Sequence, residues 1–423
     1  MVEYDVIIIG GGIAGLSAAI GAREQGVKKV LILEREEVLG GALNQCIHTG
    51  FGDKEQEYEF FTGTEYVYKF IERIKELKIE YKCNSAVIEL NGNKEIKVVS
   101  EDGIEFYKAK AVILAMGSRE KPRGAINVPG SKLAGIITAG SAQKIINLEG
   151  YLPGKEIVIL GSGHIGVAMA RRMTIEGGNV KSVIELMSYP NCKEEDIKEC
   201  LTDFNIPIKF NHTVVDINGK DRVEGVTISE VDEKKVPIPG TEEYIVCDTL
   251  VLSVDLLPEN EISRKAGVTI LNSTKGPEID ESMHTNLDGI FACGNVLYLH
   301  DSASDIVDEA FQAGINAAYY IFGKRYNEKN IEIICADGIS YAVPNFINLN
   351  NIENYLNIKF RINKPYEKKS INVYFDNELE VKINKDKMIP SKIETIKIPK
   401  DILKNKKDCY KITIKLEDIK TEE

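Results

Sequence analysis

The sequence predicts an α/β protein in which one glycine-looped βαβ fold is interrupted by a second of the same kind, with a small β domain after both. Three observations carry this reading. A strand, a glycine turn, a helix, a second strand and a terminal acid follow one another at the N-terminus; the same order returns from residue 155; and beyond residue 330 the apolar pattern changes to period two. At 423 residues the chain can bury several cores, and its length alone suggests two to four domains.

The first unit reads DVIIIGGGIAGLSAAIGAREQGVKKVLILE, residues 5–34. Gly10 permits the tight turn, Gly12 lets the backbone approach a pyrophosphate at the start of the helix, and Gly15 lets helix and strand pack closely. Ile13 and Ala14 supply the first helical amides, Glu34 ends the second strand where it can accept from ribose hydroxyls, and Arg35 follows it. This is the Rossmann-like signature of a dinucleotide site. The copy, KEIVILGSGHIGVAMARRMTIEGGNVKSVIE, holds Gly161, Gly163, His164, Ile165 and Gly166, and Glu185 lies 24 residues after Gly161, as Glu34 lies 24 after Gly10. Two such folds in one polypeptide point to two ligands, and the usual pair is a flavin and a nicotinamide dinucleotide.

Composition narrows the rest. The formal net charge is −12, and no Lys/Arg block offers the basic face that nucleic acid requires. The first strand begins at Tyr4 and no apolar run approaches membrane-span length, so neither a leader nor a membrane span is expected, and the expected location is cytoplasmic. The eight cysteines are scattered with no CxxC, which excludes the usual local zinc and iron–sulfur spacings and suits a reducing compartment; no metal site is expected. One of them stands out. In GGALNQCIHTGFG, residues 40–52, Cys46 lies between two glycine-bearing turns just after the first dinucleotide unit, with His48 two residues on.

AKAVILAMGSREKPRG (109–124) resembles the crossover strand of two-dinucleotide flavoproteins at Ala115–Gly117, with Met116 in place of the usual Thr. TNLDGIFACGNVLYLHDSASDIVDEAFQAGINAAYYIF (285–322) resembles their second FAD motif, a strand followed by a helix from about Ser304, with Asn295 where Asp is common. That resemblance assigns Gly10, Gly12, Ile13, Ala14, Gly15, Glu34, Arg35, Gly41, Ala115, Gly117, Gly294 and Asn295 to FAD, and Gly161, Gly163, His164, Ile165, Gly166 and Glu185 to NAD(H). The implied domains are FAD-binding, 1–124 with 255–330; NAD(H)-binding, 125–254; and a C-terminal β-rich domain, 331–423, serving as a dimer or lid element or as a docking surface.

The architecture resembles the pyridine nucleotide-disulfide oxidoreductase superfamily. Its GG-x-C-x4-C redox pair has no counterpart here, because aligning the glycine pair puts Leu43 and His48 where the cysteines belong. GGALNQCIHTGFG, FFTGTEYVYKF, CDTLVLSVDLLPENEIS and GIFACGNVLYLHD are similar to one branch: FAD/NAD-linked subunits that accompany glycerol-3-phosphate dehydrogenase-like flavoproteins, with relatives in hydrogen cyanide synthase, opine oxidase and dye-linked proline dehydrogenase complexes. The branch implies electron transfer between NAD(H), FAD and a second flavoprotein dehydrogenase subunit, within a complex that can include a small cysteine-rich subunit. Three features depart from its pattern: His164 replaces an acid, SASDIV replaces a more apolar segment, and Asp255 replaces a glycine.

Cys46 and His48 are the catalytic candidates, and their reading stays open between chemistry and packing. As in single-cysteine members of the superfamily, Cys46 could cycle through a sulfenate or mixed disulfide in a self-sufficient thiol or peroxide reductase, with His48 tuning the thiolate. As a buried small hydrophobe in its turn, it needs no chemistry, and this is the expected case. A third class is a scaffold subunit that holds FAD without turning over.

Overall fold

The computed structural model describes residues 2–54, 61–126, 128–130, 132–324, 331–352, 354–404, 406 and 409–419. Residues 325–330, where the sequence pattern changes to β, lie outside them. The chain divides into two compact units, Met1–Ser118 with Pro258–Glu423, and Arg119–Leu257.

In the first unit a seven-stranded sheet runs in the order Glu80–Lys82, Val30–Leu33, Val2–Ile9, Gly103–Leu114, Glu95–Ser100, Ala86–Leu90. The seventh strand, Ile290–Ala292, pairs in parallel with Val112–Leu114. The strands nearest the glycine loop are parallel and buried on both faces, which is why VIII and VLIL read as unbroken apolar runs. Two helices cover one face. Helix Ile13–Glu24 is buried from Ile13 to Ala22, and helix Ala303–Ile321 packs on it. Small residues set their separation: a Cβ on Gly314 would lie 2.0 Å from the Ala18 carbonyl oxygen, and one on Gly21 would lie 2.3 Å from that of Phe311.

The C-terminal strands of this unit form a five-stranded sheet and a three-stranded sheet around a common core that includes Ile358, Phe360, Val373, Ile396 and Ile414. Strand Tyr355–Ile362 alternates as expected from its sequence. Leu356, Ile358, Phe360 and Ile362 face that core, while Lys359 and Arg361 stand on the opposite face. Val343, Tyr341 and Ile393 join instead the apolar cluster of the seven-stranded sheet, so the β domain and the sheet share buried surface.

The second unit is built on a five-stranded parallel sheet, in the order Ile136–Thr138, Thr249–Leu252, Glu156–Leu160, Asn179–Ile184, Ile208–Lys209. Helix His164–Ile175 packs on it, and a three-stranded antiparallel sheet, His212–Gly219, Val223–Glu230 and Glu243–Val246, completes the unit. Asp255 has φ +146°, a region that favours glycine and is costly for any side chain. Its carboxylate pairs with Lys121 at 2.7 Å and accepts from the Leu256 amide at 3.0 Å, which fixes it locally. No helix among the described residues is long and apolar enough to cross a membrane.

Candidate functional site

Each unit carries a glycine loop, and the two loops are built alike. In the first, the Gly10 amide donates to the Leu33 carbonyl at 2.9 Å and the Ala115 amide to that of Ile9 at 2.9 Å, so three strand ends converge on the turn. Gly10 has φ +108°, and a Cβ there would lie 2.4 Å from the Ala115 oxygen; one on Gly15 would lie 1.8 Å from the Gly10 oxygen. Gly12 differs. It caps helix Ile13–Glu24 with no side-chain hydrogen bond, and a Cβ there would touch only Gly41 Cα, at 3.8 Å. The first amides of the helix, including those of Ile13 and Ala14, are thus left to a ligand, and a pyrophosphate fits that need.

Glu34 closes this loop from below. Nearly buried, it accepts from the Gly11 amide at 2.6 Å and from the Glu36 amide at 2.9 Å, one oxygen each. Each oxygen keeps a lone pair for a ribose hydroxyl. Arg35 beside it is exposed and pairs with Glu36 at 3.6 Å. The Gly40 amide donates to the Gly11 carbonyl at 2.9 Å, which brings Gly41 against Gly12. Gly117, at φ +69°, has open space on its Cβ side, and Gly294 packs a would-be Cβ 2.7 Å from that of Ala14. All the residues expected to hold FAD therefore lie on the first unit, and the spare room at Gly12 and Gly117 fits a bound cofactor.

The second loop repeats this pattern with one substitution of parts. The Gly161 amide donates to Ile184 O at 2.7 Å and the Ser253 amide to Leu160 O at 2.7 Å. Ser253 plays the part of Ala115: Cβ atoms on Gly161 and Gly166 would lie 2.1 Å from its carbonyl and 2.6 Å from its hydroxyl. Glu185 accepts from the Ser162 amide at 2.8 Å and hydroxyl at 2.5 Å, and from the Met187 amide at 2.8 Å. Gly163 caps helix His164–Ile175 without a side-chain bond, as Gly12 does. His164 turns its Nδ1 to Asp196 at 3.1 Å; burial works against the Asp196 charge, but His164 and Lys193 together outweigh it and hold the carboxyl below the usual range. Ile165 packs into the core of the unit.

Cys46 ends a short 3-10 turn, Gly41–Gln45, half-buried against the core of the seven-stranded sheet. Its thiol donates to Ala42 O at 3.4 Å, and its carbonyl accepts from the Gly63 amide at 2.8 Å at the start of helix Gly63–Glu76. His48 places Nδ1 3.0 Å from Thr49 O and its ring 5.2 Å from that of Phe51. Elsewhere burial pushes thiols up, Cys192 to about 12 and Cys247 and Cys335 to about 11, which leaves them as poor nucleophiles. Among the described residues no group of three or more His, Cys, Asp or Glu is arranged to hold a metal ion. Cys46→Ser is expected to keep most NADH-dependent flavin reduction; a loss beyond about a hundredfold in stopped-flow rate, about 2.7 kcal/mol, would place the thiol in the chemistry instead.

The helix that follows the second FAD motif starts at Ala303, one residue before the expected Ser304, and its end is not bare. Ser302 accepts the Asp305 amide at 3.1 Å, Ser304 donates to Asp53 at 2.5 Å, and Lys54 pairs with Asp305 and Asp308 at 2.8 and 2.6 Å. Sequence reasoning missed Ser253, and it missed Glu309, Lys359 and Arg361. These last three meet His300 and Asp301 beside Asn295. The i, i+2 pair Lys359/Arg361 on the polar face of an alternating strand was the one signal in the sequence.

The profile of the family described as Pyridine nucleotide-disulphide oxidoreductase matches residues 4–315. Thioredoxin reductase of Bacillus subtilis (strain 168) is 28% identical over 305 residues, covering 69% of this chain and 86% of that protein. The crystal structure of T. acidophilum thioredoxin reductase aligns with a TM-score of 0.61 at 24% identity, over 76% of this chain and 98% of that one. The structure of L-proline dehydrogenase from P. horikoshii aligns with a TM-score of 0.53 at 19% identity, over 74% of this chain and 54% of that one. Both structural likenesses concern the fold alone.

Proposed function

From the premise that the chain belongs to the pyridine nucleotide-disulphide oxidoreductase family, and is thus an FAD- and NAD(P)H-dependent oxidoreductase, we propose that it relays electrons between NAD(H) and a partner flavoprotein dehydrogenase of the glycerol-3-phosphate dehydrogenase-like kind. The observation that carries this reading is a surplus and a lack in one chain. Both glycine loops are complete down to their buried acids, Glu34 and Glu185, yet no CxxC or GG-x-C-x4-C pair exists to pass the electrons to a disulfide.

When bound, FAD accepts a hydride and releases the electron pair to an acceptor. The chain's own parts do the holding. Gly12 and the first turn of its helix would receive the pyrophosphate, Glu34 would hold the ribose, and Gly294 of the second motif packs against Ala14 at the same helix end. In the other unit Gly163 and Glu185 do the same for the nicotinamide dinucleotide.

The test expresses the chain alone and with its genomic neighbours, and follows NADH oxidation and glycerol 3-phosphate-dependent dye reduction. Slow dye-coupled NADH oxidation alone and full turnover only in the complex are expected. An isolated chain that turns over a thiol or peroxide at full rate through Cys46 would replace this reading with the self-sufficient reductase. One that holds FAD but is not reduced by NADH would replace it with the scaffold.

A further inference from the structure

Beside the second FAD motif lies a buried cluster of charged side chains at the margin of the sheet's apolar core, to which its Tyr298 and Tyr341 also belong. His300, whose side chain is fully buried, sends its backbone amide to Asn295 Oδ1 at 3.0 Å. That bond fixes the Asn295 amide, so the atom also 3.1 Å from His300 Nδ1 is an oxygen. The Tyr298 carbonyl stands 3.1 Å from the same nitrogen. On the other side of the ring, Nε2 lies 3.1 Å from Glu309 Oε1, an ion-pair distance without the alignment of a hydrogen bond. Nδ1 faces only carbonyl oxygens and so carries a proton, while a lone pair on Nε2 would stand against a carboxylate, a repulsion that an imidazolium avoids.

Glu309 is held as an anion. Burial works against its charge, but His300 and Lys359 outweigh burial and keep the carboxyl well below the usual carboxylate range. Tyr298 donates to Oε2 at 2.5 Å, and Lys359, reaching in from strand Tyr355–Ile362, lies 3.2 Å from it. Around these stand Arg361, paired with Asp301 at 2.7 Å, and Tyr341, whose hydroxyl accepts from Arg361 at 2.9 Å. Arg361 and Asp301 cancel. With Asp305, which also faces Lys359, paired to Lys54, a charged His300 with Glu309 and Lys359 leaves one positive charge.

We propose that His300 is a positioning residue that presents a fixed positive charge to the flavin motif through Asn295, and that Lys359 and Glu309 hold it there, making the C-terminal β domain an electrostatic part of the flavin site. The proposal rests on the assignment of Gly294 and Asn295 to FAD. Two-electron reduction adds negative charge to the cofactor, and a charge already oriented at the motif assigned to hold it costs no reorganisation when that happens. The helix end at Ala303 is capped by Ser302 and carries Asp305 in its first turn, so the side-chain cluster, not the helix dipole, is the stronger source of positive potential here.

The test uses the full chain loaded with FAD at pH 7. His300→Gln and Lys359→Met are each expected to lower the equilibrium constant for two-electron reduction about tenfold, about 30 mV in midpoint potential. Values within twofold of the unsubstituted protein, with FAD content unchanged, overturn the proposal. Should His300→Gln lose its flavin, Lys359→Met, altered farther from the motif, still reads the potential. A second measurement does not need the cofactor: in ¹⁵N-histidine-labelled protein, His300 is expected to show a proton on each ring nitrogen, and to lose one in Glu309→Gln. A neutral ring in the unsubstituted protein overturns the proposal whatever the potentials do. If the chain takes up no FAD, the proposal fails at its premise together with the assignment of the first loop, while a charged ring would still distinguish that failure from an error in the cluster itself.

Discussion

Replacing Gly12 by leucine is expected to give a folded, colourless protein. Gly12 has φ −74° and ψ −178°, a conformation open to any residue, and its Cβ direction meets only Gly41 Cα at 3.8 Å. The fold therefore tolerates a side chain there, but the cofactor does not, since the leucine fills the space through which a pyrophosphate approaches the helix amides. Its neighbours in the loop make the contrast. Gly15→Ala drives a methyl to within 1.8 Å of the Gly10 oxygen, where backbone must move, and is expected to destabilise the unit by about 1–3 kcal/mol or more. Flavin absorbance per protein and the thermal midpoint separate the two variants. A yellow, fully loaded Gly12→Leu protein would mean that FAD does not lie on this loop.

NADH is expected to be preferred to NADPH by about ten- to a hundredfold, corresponding to about 1–3 kcal/mol. Glu185 is nearly buried, and its two oxygens are pinned by the Ser162 and Met187 amides, so the carboxylate cannot swing away from the ribose edge. It accepts from a 2′-hydroxyl and repels a 2′-phosphate, and LMSYPN after it carries no arginine to reverse the sign. Stopped-flow flavin reduction at matched concentrations reads the ratio. Glu185→Gln removes the repulsion while keeping an acceptor for Ser162, so its ratio should fall toward one; equal rates and affinities for the two cofactors in the unsubstituted protein would show that Glu185 does not read the ribose.

The parts of the site that the sequence made legible are those whose chemistry is local. Gly10, Gly12, Gly15 and Glu34 declare themselves because a tight turn, a close approach and a ribose acceptor each demand one residue type at a fixed offset. Gly161, Gly163, Gly166 and Glu185 repeat the demand, so the two-fold α/β architecture followed, and the period-two pattern after residue 330 marked the β region. What stayed hidden depends on residues far apart in the chain. Ser253 has no motif, since any small residue can underlie Gly161 and Gly166. Gly21 and Gly314 become meaningful only when two distant helices meet. Glu309 in the middle of an amphipathic helix looks like a solvated acid until Lys359 and His300 arrive from separate segments.

The interrupted sheet also dictates an order of assembly. Strand Val2–Ile9 and helix Ile13–Glu24 are made well before the rest of their sheet, which is finished by Ile290–Ala292, and Ser17 on the helix donates to Val307, 290 residues away. The unit from Arg119 to Leu257, by contrast, is continuous and closes on contacts within itself. On a ribosome working from the N-terminus, the later-encoded unit completes its fold while the earlier one still waits for its last strand and helix. The long loop closure that the first unit requires makes it the slower to form in refolding as well. Until that closure occurs, the unbroken apolar strands VIII and VLIL lack their cover, and those segments are where aggregation during synthesis would begin.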